Sequence, residues 1–188
     1  MLMVFGAVSV YAQSAAKWKV DDSHTSVNFS VNHFFSPVKG KFTDFEGDIH
    51  FDPNDLAGSK ANFTVAVESV DTDNGKRDKH LQSKDFFNAK GYPKMSFESV
   101  KFEKKSDEEY LVHGKLTIKD KTKDVKLPVK ITGQMEHPMK KGVMILGVLI
   151  DMSINRTDYG VGTGDWAATM VVGDEVEINI PMELNRKK

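Results

Sequence analysis

Residues 27–33 of this 188-residue chain read VNFSVNH, a stretch in which apolar and polar side chains alternate. Val27, Phe29 and Val31 would share one face of a strand, because successive side chains of a strand point to opposite sides. The same period recurs and predicts eight strands, at about 26–33, 38–51, 60–70, 94–104, 109–119, 124–134, 142–155 and 175–185. Two strands change phase partway, which predicts β-bulges near Asp44 and Glu98.

Short, turn-like links join most of these strands, so sequential neighbours are expected to be antiparallel. Antiparallel strands with one apolar face each must either close on themselves or stack as two sheets. An up-and-down barrel is favoured because closure removes unpaired strand edges, and its interior can hold side chains or one elongated ligand. The predicted fold class is therefore all-β, an eight-stranded antiparallel barrel.

Composition argues against several function classes. The formal net charge of −1 and the pI near 6.6 do not fit a nucleic-acid-binding surface, which needs a basic excess. The chain has no cysteine, which rules out disulfides and thiol chemistry. Its six histidines show neither HxH nor HExxH spacing, and no GxSxG motif occurs. We therefore expect no metal site and no catalytic step.

The first twelve residues, MLMVFGAVSVYA, carry no charge and place Val10 and Ala12 at the spacing that a signal peptidase reads. The run is too short to span a bilayer, for which about twenty apolar residues are needed. We expect an export signal that is cleaved after Ala12, with residues 13–188 forming one domain. A buried first strand is the alternative.

The segment from Asp71 to Pro93, DTDNGKRDKHLQSKDFFNAKGYP, interrupts the strand period. Its charged residues come first, and the adjacent Phe86 and Phe87 follow. We expect a short helix that begins near residues 74–75, with Asp73 as its N-cap. The helix would cover one mouth of the barrel.

Two interpretations of this cover remain open. It is either a gate that binds a ligand headgroup, or a plug that is anchored by an ion pair between Arg77 and a carboxylate. On the helix, Arg77 and His80 lie on one face because they are three residues apart. If Phe86 and Phe87 fill the space beneath the helix, the barrel is plugged.

Several motifs occur in an order that resembles the YceI-like family. They are W-x-V-D-x-x-H-T-S from Trp18 to Ser26, G-x-F-x-x-F-x-G beginning at Gly40, R-D-x-H-L from Arg77 to Leu81, D-F-F from Asp85 to Phe87, G-x-L-T-I from Gly114 to Ile118, and R-x-D-Y-G from Arg156 to Gly160. The resemblance covers the chain from about Trp18 to its C-terminus. It implies a lipocalin-like barrel, with a helix in the 71–93 insertion, that holds a long isoprenoid-type lipid.

The resemblance also implies a periplasmic protein that does not span the membrane, needs no cofactor and often forms a homodimer. The chain departs from the family at Asp120, where a turn usually contains glycine. Because Asp tolerates positive φ better than most residues, the hairpin is expected to survive.

The candidate lipid-binding residues fall into two groups. The apolar candidates are Phe29, Val31, Phe42, Phe63, Val65, Phe97, Leu116 and Ile118 on inward faces, with Phe86 and Phe87 beneath the helix. Candidates for binding an anionic headgroup are Arg77, His80 and Arg156. Ordinary core packing is the alternative role for each apolar residue.

The function expected from these observations is that of a periplasmic carrier or reservoir for a long isoprenoid-type or other amphiphilic lipid. The lipid would lie in the barrel interior and undergo no reaction. One alternative is a structural or stress-linked interaction protein with a plugged barrel. Another is a helper of a redox system that binds an isoprenoid quinone.

Overall fold

The computed structural model describes residues 15–188, so the expected export signal lies outside the described part of the chain. The strands are β1 (Lys17–Val20), β2 (Val27–His33), β3 (Ser36–Phe42), β4 (Phe45–His50), β5 (Lys60–Ala66), β6 (Val70–Asp71), β7 (Lys94–Lys104), β8 (Glu109–Ile118), β9 (Lys121–Glu136), β10 (Val143–Asn155) and β11 (Val172–Lys187). One α-helix, α1, spans Gly75–Leu81, and short 3₁₀ turns occur at Val67–Ser69, Arg156–Tyr159 and Gly164–Trp166.

These segments form one closed antiparallel barrel. β1 and β2 both pair with β11 and act as one bent strand. β3 and β4 form the next bent strand, since β3 pairs with β2 and β4 pairs with β1. β5 and β6 form the third, and β7 to β11 then follow in sequence order and return to the first. The eight-stranded up-and-down barrel expected from the alternation is confirmed.

The phase changes in the sequence mark real breaks in the strands. The predicted strand at 38–51 is in fact two strands, β3 and β4, with Thr43 and Asp44 between them. The second slip is a bulge at Val100, between Ser99 and Lys101, close to the position expected from the sequence. In both places the bend returns apolar side chains to the interior after an odd number of residues.

Other predicted bounds were wrong in ways that pairing explains. The predicted strand at 60–70 is interrupted by the 3₁₀ turn Val67–Ser69, which lets β5 pair with β4 and β6 pair with β3. β1 was missed because four residues are too few for a period to be counted. The hairpin at Asp120 forms as expected, but the residue with positive φ is Lys119, not Asp120.

Two long segments lie at the same end of the barrel, which we call the upper end. The lid consists of residues 72–93, and the closing loop consists of residues 156–171. A buried cluster that includes Phe86, Tyr159 and Val161 packs the lid against this loop. A second cluster, around Trp18 and Leu146, lies in the lower half. Within residues 15–188 no helix has the length and apolar character needed to cross a bilayer.

Glycines on neighbouring strands make room for three inward phenylalanines. Phe29 lies across from Gly40, and a Cβ at Gly40 would come within 2.4 Å of its ring. A Cβ at Gly47 would lie 3.1 Å from the ring of Phe63. A Cβ at Gly114 would lie 2.4 Å from the ring of Phe97 and 2.5 Å from the carbonyl oxygen of Glu98. Each ring therefore packs against a glycine backbone, in space that a side chain would otherwise occupy. This leaves more of the barrel interior empty than if the rings pointed to its centre.

Replacing Gly114 with valine should destabilise the barrel by about 1–3 kcal/mol, because both the ring of Phe97 and a fixed backbone oxygen occupy the space of the new side chain. Gly133→Ala is the matched control, since a Cβ at Gly133 meets no atom within 4 Å. Urea denaturation of both variants measures the effect. Equal stability of the two variants would show that the ring does not need the glycine.

Candidate ligand-binding cavity

The upper half of the barrel encloses a cavity of about 200 Å³ whose wall is almost entirely apolar. Eleven of the predicted site residues border it: Phe29, Val31, Phe42, Phe63, Val65, Phe86, Phe87, Phe97, Leu116, Ile118 and Arg156. Contact of these residues with a ligand stays a prediction. The other two predicted residues, Arg77 and His80, do not border the cavity.

Sequence reasoning missed a further part of the wall, on β10 and β11. These residues are Ile150, Met152, Ile154, Val176, Ile178 and Ile180. Each set alternates with polar residues, so the rule that selected Phe29 and Val31 would have found them too. The inward side chains of β11 from Val176 to Ile180 are only half-buried, because they face empty space and not packed neighbours.

A second cavity of about 120 Å³ lies in the lower half of the barrel. Five residues border both cavities: Phe63, Phe97, Leu127, Ile150 and Ile180. We call this ring of residues the waist. The two cavities therefore form successive chambers along the barrel, with the waist between them.

The lid covers the upper chamber without filling it. Phe86 is 5% exposed, and both it and Phe87 border the cavity from above. The ring of Phe87 also packs edge-to-face on Phe42, with 5.9 Å between ring centroids. The space beneath the two rings argues against the plugged barrel.

The lid is fixed by a hydrogen-bond network at its first turn. The N-cap of α1 is Asn74, whose side chain accepts a hydrogen bond from the Arg77 backbone N–H at 3.1 Å. The N-cap assignment to Asp73 was wrong, since Asp73 lies one residue earlier with a φ of +58°. Arg77 donates to the Thr72 hydroxyl at 2.7 Å and to its carbonyl at 2.6 Å, and Asp78 accepts from the Thr72 N–H at 3.0 Å.

These contacts correct two expectations for the lid. Arg77 binds Thr72, which is 4% exposed, and forms no ion pair with a carboxylate in the described chain. The predicted ion pair with a carboxylate was therefore wrong, although Arg77 does anchor the lid. His80 contacts Asp85 at 3.0 Å and packs edge-to-face on Phe86 and Trp166, with centroids 5.0 and 4.9 Å away. Neither side chain borders the cavity, and each instead makes contacts that hold the lid in place.

Arg156 borders the cavity, but its donors are occupied. It is 4% exposed, and its guanidinium donates to five backbone carbonyls, those of Val161, Gly162, Trp166, Val172 and Gly173. A guanidinium has five N–H donors, so none is left for a headgroup. Arg156 therefore ties the closing loop together, and its predicted role as a headgroup ligand does not fit this geometry.

Gly162 allows the closing loop to approach both partners closely. Its φ of +63° is a conformation that L side chains rarely adopt. A Cβ there would lie 2.6 Å from a terminal nitrogen of Arg156 and 2.7 Å from the ring of Phe86. The closing loop and the lid thus share one packed contact above the cavity.

The charges of this roof are compensated locally. Burial lowers the pKa of the Arg156 guanidinium, and the carboxylate of Asp174 opposes that shift. Burial raises the pKa of Asp174, but hydrogen bonds from the N–H and hydroxyl of Thr157, at 3.0 and 2.7 Å, leave it below its usual value. Burial also raises the pKa of Tyr159, so its phenol is neutral at pH 7.

The motif from Trp18 to Ser26 lies away from the upper chamber and closes the barrel seam. The indole N–H of Trp18 donates to the carbonyl of Phe51 at 3.0 Å. The hydroxyl of Thr25 accepts from the backbone N–H of Glu183 at 3.2 Å. The motif therefore joins the bent first strand to its neighbours on both sides.

Asp21, His24 and Glu183 place three potential metal-ligand atoms within 4.8 Å of one another at this seam. Asp21 contacts the His24 ring at 3.3 Å and accepts a hydrogen bond from Asn185 at 3.2 Å. These contacts account for the cluster as a tie between strands, and we assign no metal to it.

Comparison with known proteins identifies the family. The model of the YceI-like domain matches residues 18–184. The chain belongs to the YceI-like family. Protein YceI of Escherichia coli O157:H7 is 36% identical over 172 residues, which cover 90% of this chain and 86% of that protein. A UPF0312 protein of Yersinia enterocolitica is 35% identical, with coverage of 99% and 96%.

Solved structures agree with the barrel. BcnA of Burkholderia cenocepacia has a TM-score of 0.77 at 30% identity, covering 87% of this chain and 98% of that one. The YceI protein of Campylobacter jejuni has a TM-score of 0.74 at 38% identity, covering 81% and 87%. A polyisoprenoid binding domain from Saccharophagus degradans has a TM-score of 0.67 at 12% identity, covering 89% and 97%, and shows the fold alone.

Replacing Arg156 with lysine should destabilise the protein by about 3 kcal/mol or more, because one ammonium cannot reach five carbonyls and several would stay buried and unpaired. Thermal unfolding and limited proteolysis of the closing loop measure the effect. Arg186→Lys is the control, since Arg186 stacks on the Trp18 ring outside this network. Wild-type stability of Arg156→Lys would contradict the proposed tie.

Proposed function

We propose that this YceI-like protein binds a long apolar lipid of the isoprenoid type in its two chambers and carries it reversibly. The observation that supports the proposal most directly is the continuous apolar lining beneath Phe86 and Phe87. No catalytic step is part of this proposal.

The length of the barrel suits a chain of this kind. β8 has ten residues, and a strand of that length rises roughly 33 Å, or about 25 Å along the axis at the tilt of an eight-stranded barrel. Because the waist lies between the two chambers, an extended chain would have to pass it to occupy both. A compact ligand would occupy one chamber only.

The wall also restricts the headgroup. Apart from Arg156, whose donors are occupied, and the neutral phenol of Tyr159, the polar side chains bordering the upper chamber are the uncharged Asn28 and Ser96. An anionic headgroup would lose its hydration there without gaining a charged partner, which is costly. The proposed ligand therefore places its tail inside, and its headgroup is either neutral or lies outside the wall.

The choice of an isoprenoid rests on a structural neighbour. The Saccharophagus degradans protein is described as a polyisoprenoid binding domain and shares the fold. At 12% identity this likeness supports the class of ligand as a proposal and transfers no binding residue.

Energetics favour reversible carriage over tight storage. Moving an alkyl chain out of water is worth about 0.8 kcal/mol per CH₂, so a chain of about twenty carbons is held strongly against water. A membrane offers the same chain a similar apolar environment. The net preference for the barrel is therefore small, which suits a protein that exchanges lipid with a membrane.

We further propose that the protein works in the periplasm. The support is the uncharged N-terminal run with Val10 and Ala12 at signal-peptidase spacing. Fractionation of cells, with the intact mass of the recovered protein, tests the proposal. A mature chain beginning at Gln13 is expected, and uncleaved protein in the cytoplasm would contradict it.

The function is tested by purifying the protein without detergent, extracting it with organic solvent and identifying bound lipid by mass spectrometry. We expect a long isoprenoid-type lipid, and added geranylgeraniol should bind to the emptied protein. Absence of both bound lipid and geranylgeraniol binding would contradict the proposal.

Replacing Ile150 with phenylalanine should narrow the waist and weaken geranylgeraniol binding by roughly tenfold. The larger side chain obstructs a ligand that is long enough to extend from one chamber into the other. The shorter geraniol fits the upper chamber and should bind as before. Leu149→Phe is the matched control, since Leu149 is adjacent and borders neither chamber. An equal loss of affinity for both alcohols would show that geranylgeraniol does not extend through the waist.

A further inference from the structure

Three large apolar side chains at the upper end of the barrel are exposed to solvent. Phe34 is 55% exposed, Phe35 is 100% exposed and Met170 is 86% exposed. The N–H of Phe34 donates to the carbonyl of Val171 at 2.9 Å, which brings the turn between β2 and β3 beside Met170. We call Phe34, Phe35 and Met170 the apolar tip.

The backbone of the tip is strained without an evident structural benefit. Phe34 has a φ of +51° at the first central position of a two-residue hairpin turn, where glycine or asparagine is favoured. Its ring packs edge-to-face only on the neighbouring His33, at 4.7 Å, and stays more than half exposed. Strained backbone of this kind is found most often at functional sites, which makes the tip a candidate for one.

The tip lies next to the mouth of the upper chamber. Val31, three residues before Phe34, borders the cavity, and so does Val172, two residues after Met170. Val172 is paired with His33, so both cavity residues lie on the two strands that carry the tip. Only two or three residues of chain therefore separate these cavity residues from the exposed side chains of the tip.

The charge of the lid complements an anionic surface. Residues 72–93 contain five Lys or Arg and three Asp, in a chain whose net charge is −1. Lys76, Lys79, Lys84 and Lys90 are all exposed, and none of them forms an ion pair within the described part of the chain. Exposed lysines beside apolar side chains are the arrangement that binds the headgroup layer of anionic membranes.

We propose that the apolar tip inserts into the headgroup layer of an anionic phospholipid membrane while the lysines of the lid bind lipid phosphates. Docking in this orientation presents the upper chamber to the bilayer, so that a lipid chain passes between them with little exposure to water. The inference rests on the proposed lipid-binding function, and its test measures docking and ligand binding separately.

The test is flotation of the protein with vesicles of phosphatidylcholine, with and without phosphatidylglycerol. The wild type is expected to float with the anionic vesicles and to be released by high salt. The double variant Phe35→Ser/Met170→Ser should bind these vesicles at least about tenfold more weakly, because it loses the inserting side chains. Met139→Ser is the matched control, since Met139 is also 86% exposed but follows β9 at the lower end.

A second variant separates docking from folding. Phe34→Gly relieves the positive φ, so its melting temperature should equal or exceed that of the wild type. Its vesicle binding should nevertheless be weaker. A strongly lowered melting temperature would show that the ring at Phe34 stabilises the fold, which overturns its assignment to docking.

Solution binding of geranylgeraniol distinguishes this inference from the proposed function. The tip variants should keep wild-type affinity for it and lose only the rate of lipid uptake from vesicles. Failure of the wild type to bind anionic vesicles, or undiminished binding by the double variant, overturns the inference even if geranylgeraniol binds. A tip variant that dissociates a homodimer without changing vesicle binding would assign the tip to a second copy of the chain.

Discussion

The hydrogen-bonded ring of strands is the constraint on which this molecule depends. Most domains of this size are held together by a filled core, whereas here the wall closes on itself and leaves the middle open. Closure requires the short β1 to pair with both β4 and β11, and the motif around Trp18 secures that seam. Packed clusters lie at both ends and around Phe42 and Val65, and the two chambers stay open among them.

The roof of the barrel is held by backbone-directed contacts more than by ion pairs. Arg77 and Asp78 both bind Thr72, and Arg156 binds five carbonyls. Because these polar groups satisfy one another, none has to be satisfied by a ligand. An apolar ligand can therefore dissociate without leaving a buried charge unpaired, which agrees with reversible binding.

The sequence predicted much of the fold because one period dominates it. Alternation located β2 and β7 to β11 within a few residues, and the slips near Asp44 and Glu98 marked the bends. It could not show that β3 and β4 have different partners, since pairing is a long-range property. The same period identified inward phenylalanines, but nothing local indicated that they lie over glycines such as Gly114.

The predicted headgroup roles do not fit the observed contacts, for a similar physical reason. Arg77, His80 and Arg156 were selected by charge, but no motif states which groups they contact. These groups are backbone carbonyls, a hydroxyl, aromatic rings and the carboxylate of Asp85. The family resemblance was correct because it used many positions in order. A role for a single charged residue requires knowledge of what surrounds it.

The way Arg156 holds the closing loop has an evolutionary consequence. A carbonyl oxygen is supplied by every residue type, so the guanidinium places almost no demand on the side chains of residues 161–172. Apart from tightly packed positions such as Gly162, substitutions there leave the closure intact. Related proteins can therefore vary the outward-facing side chains of this loop, and so the molecules that the loop contacts. The barrel beneath the loop stays the same.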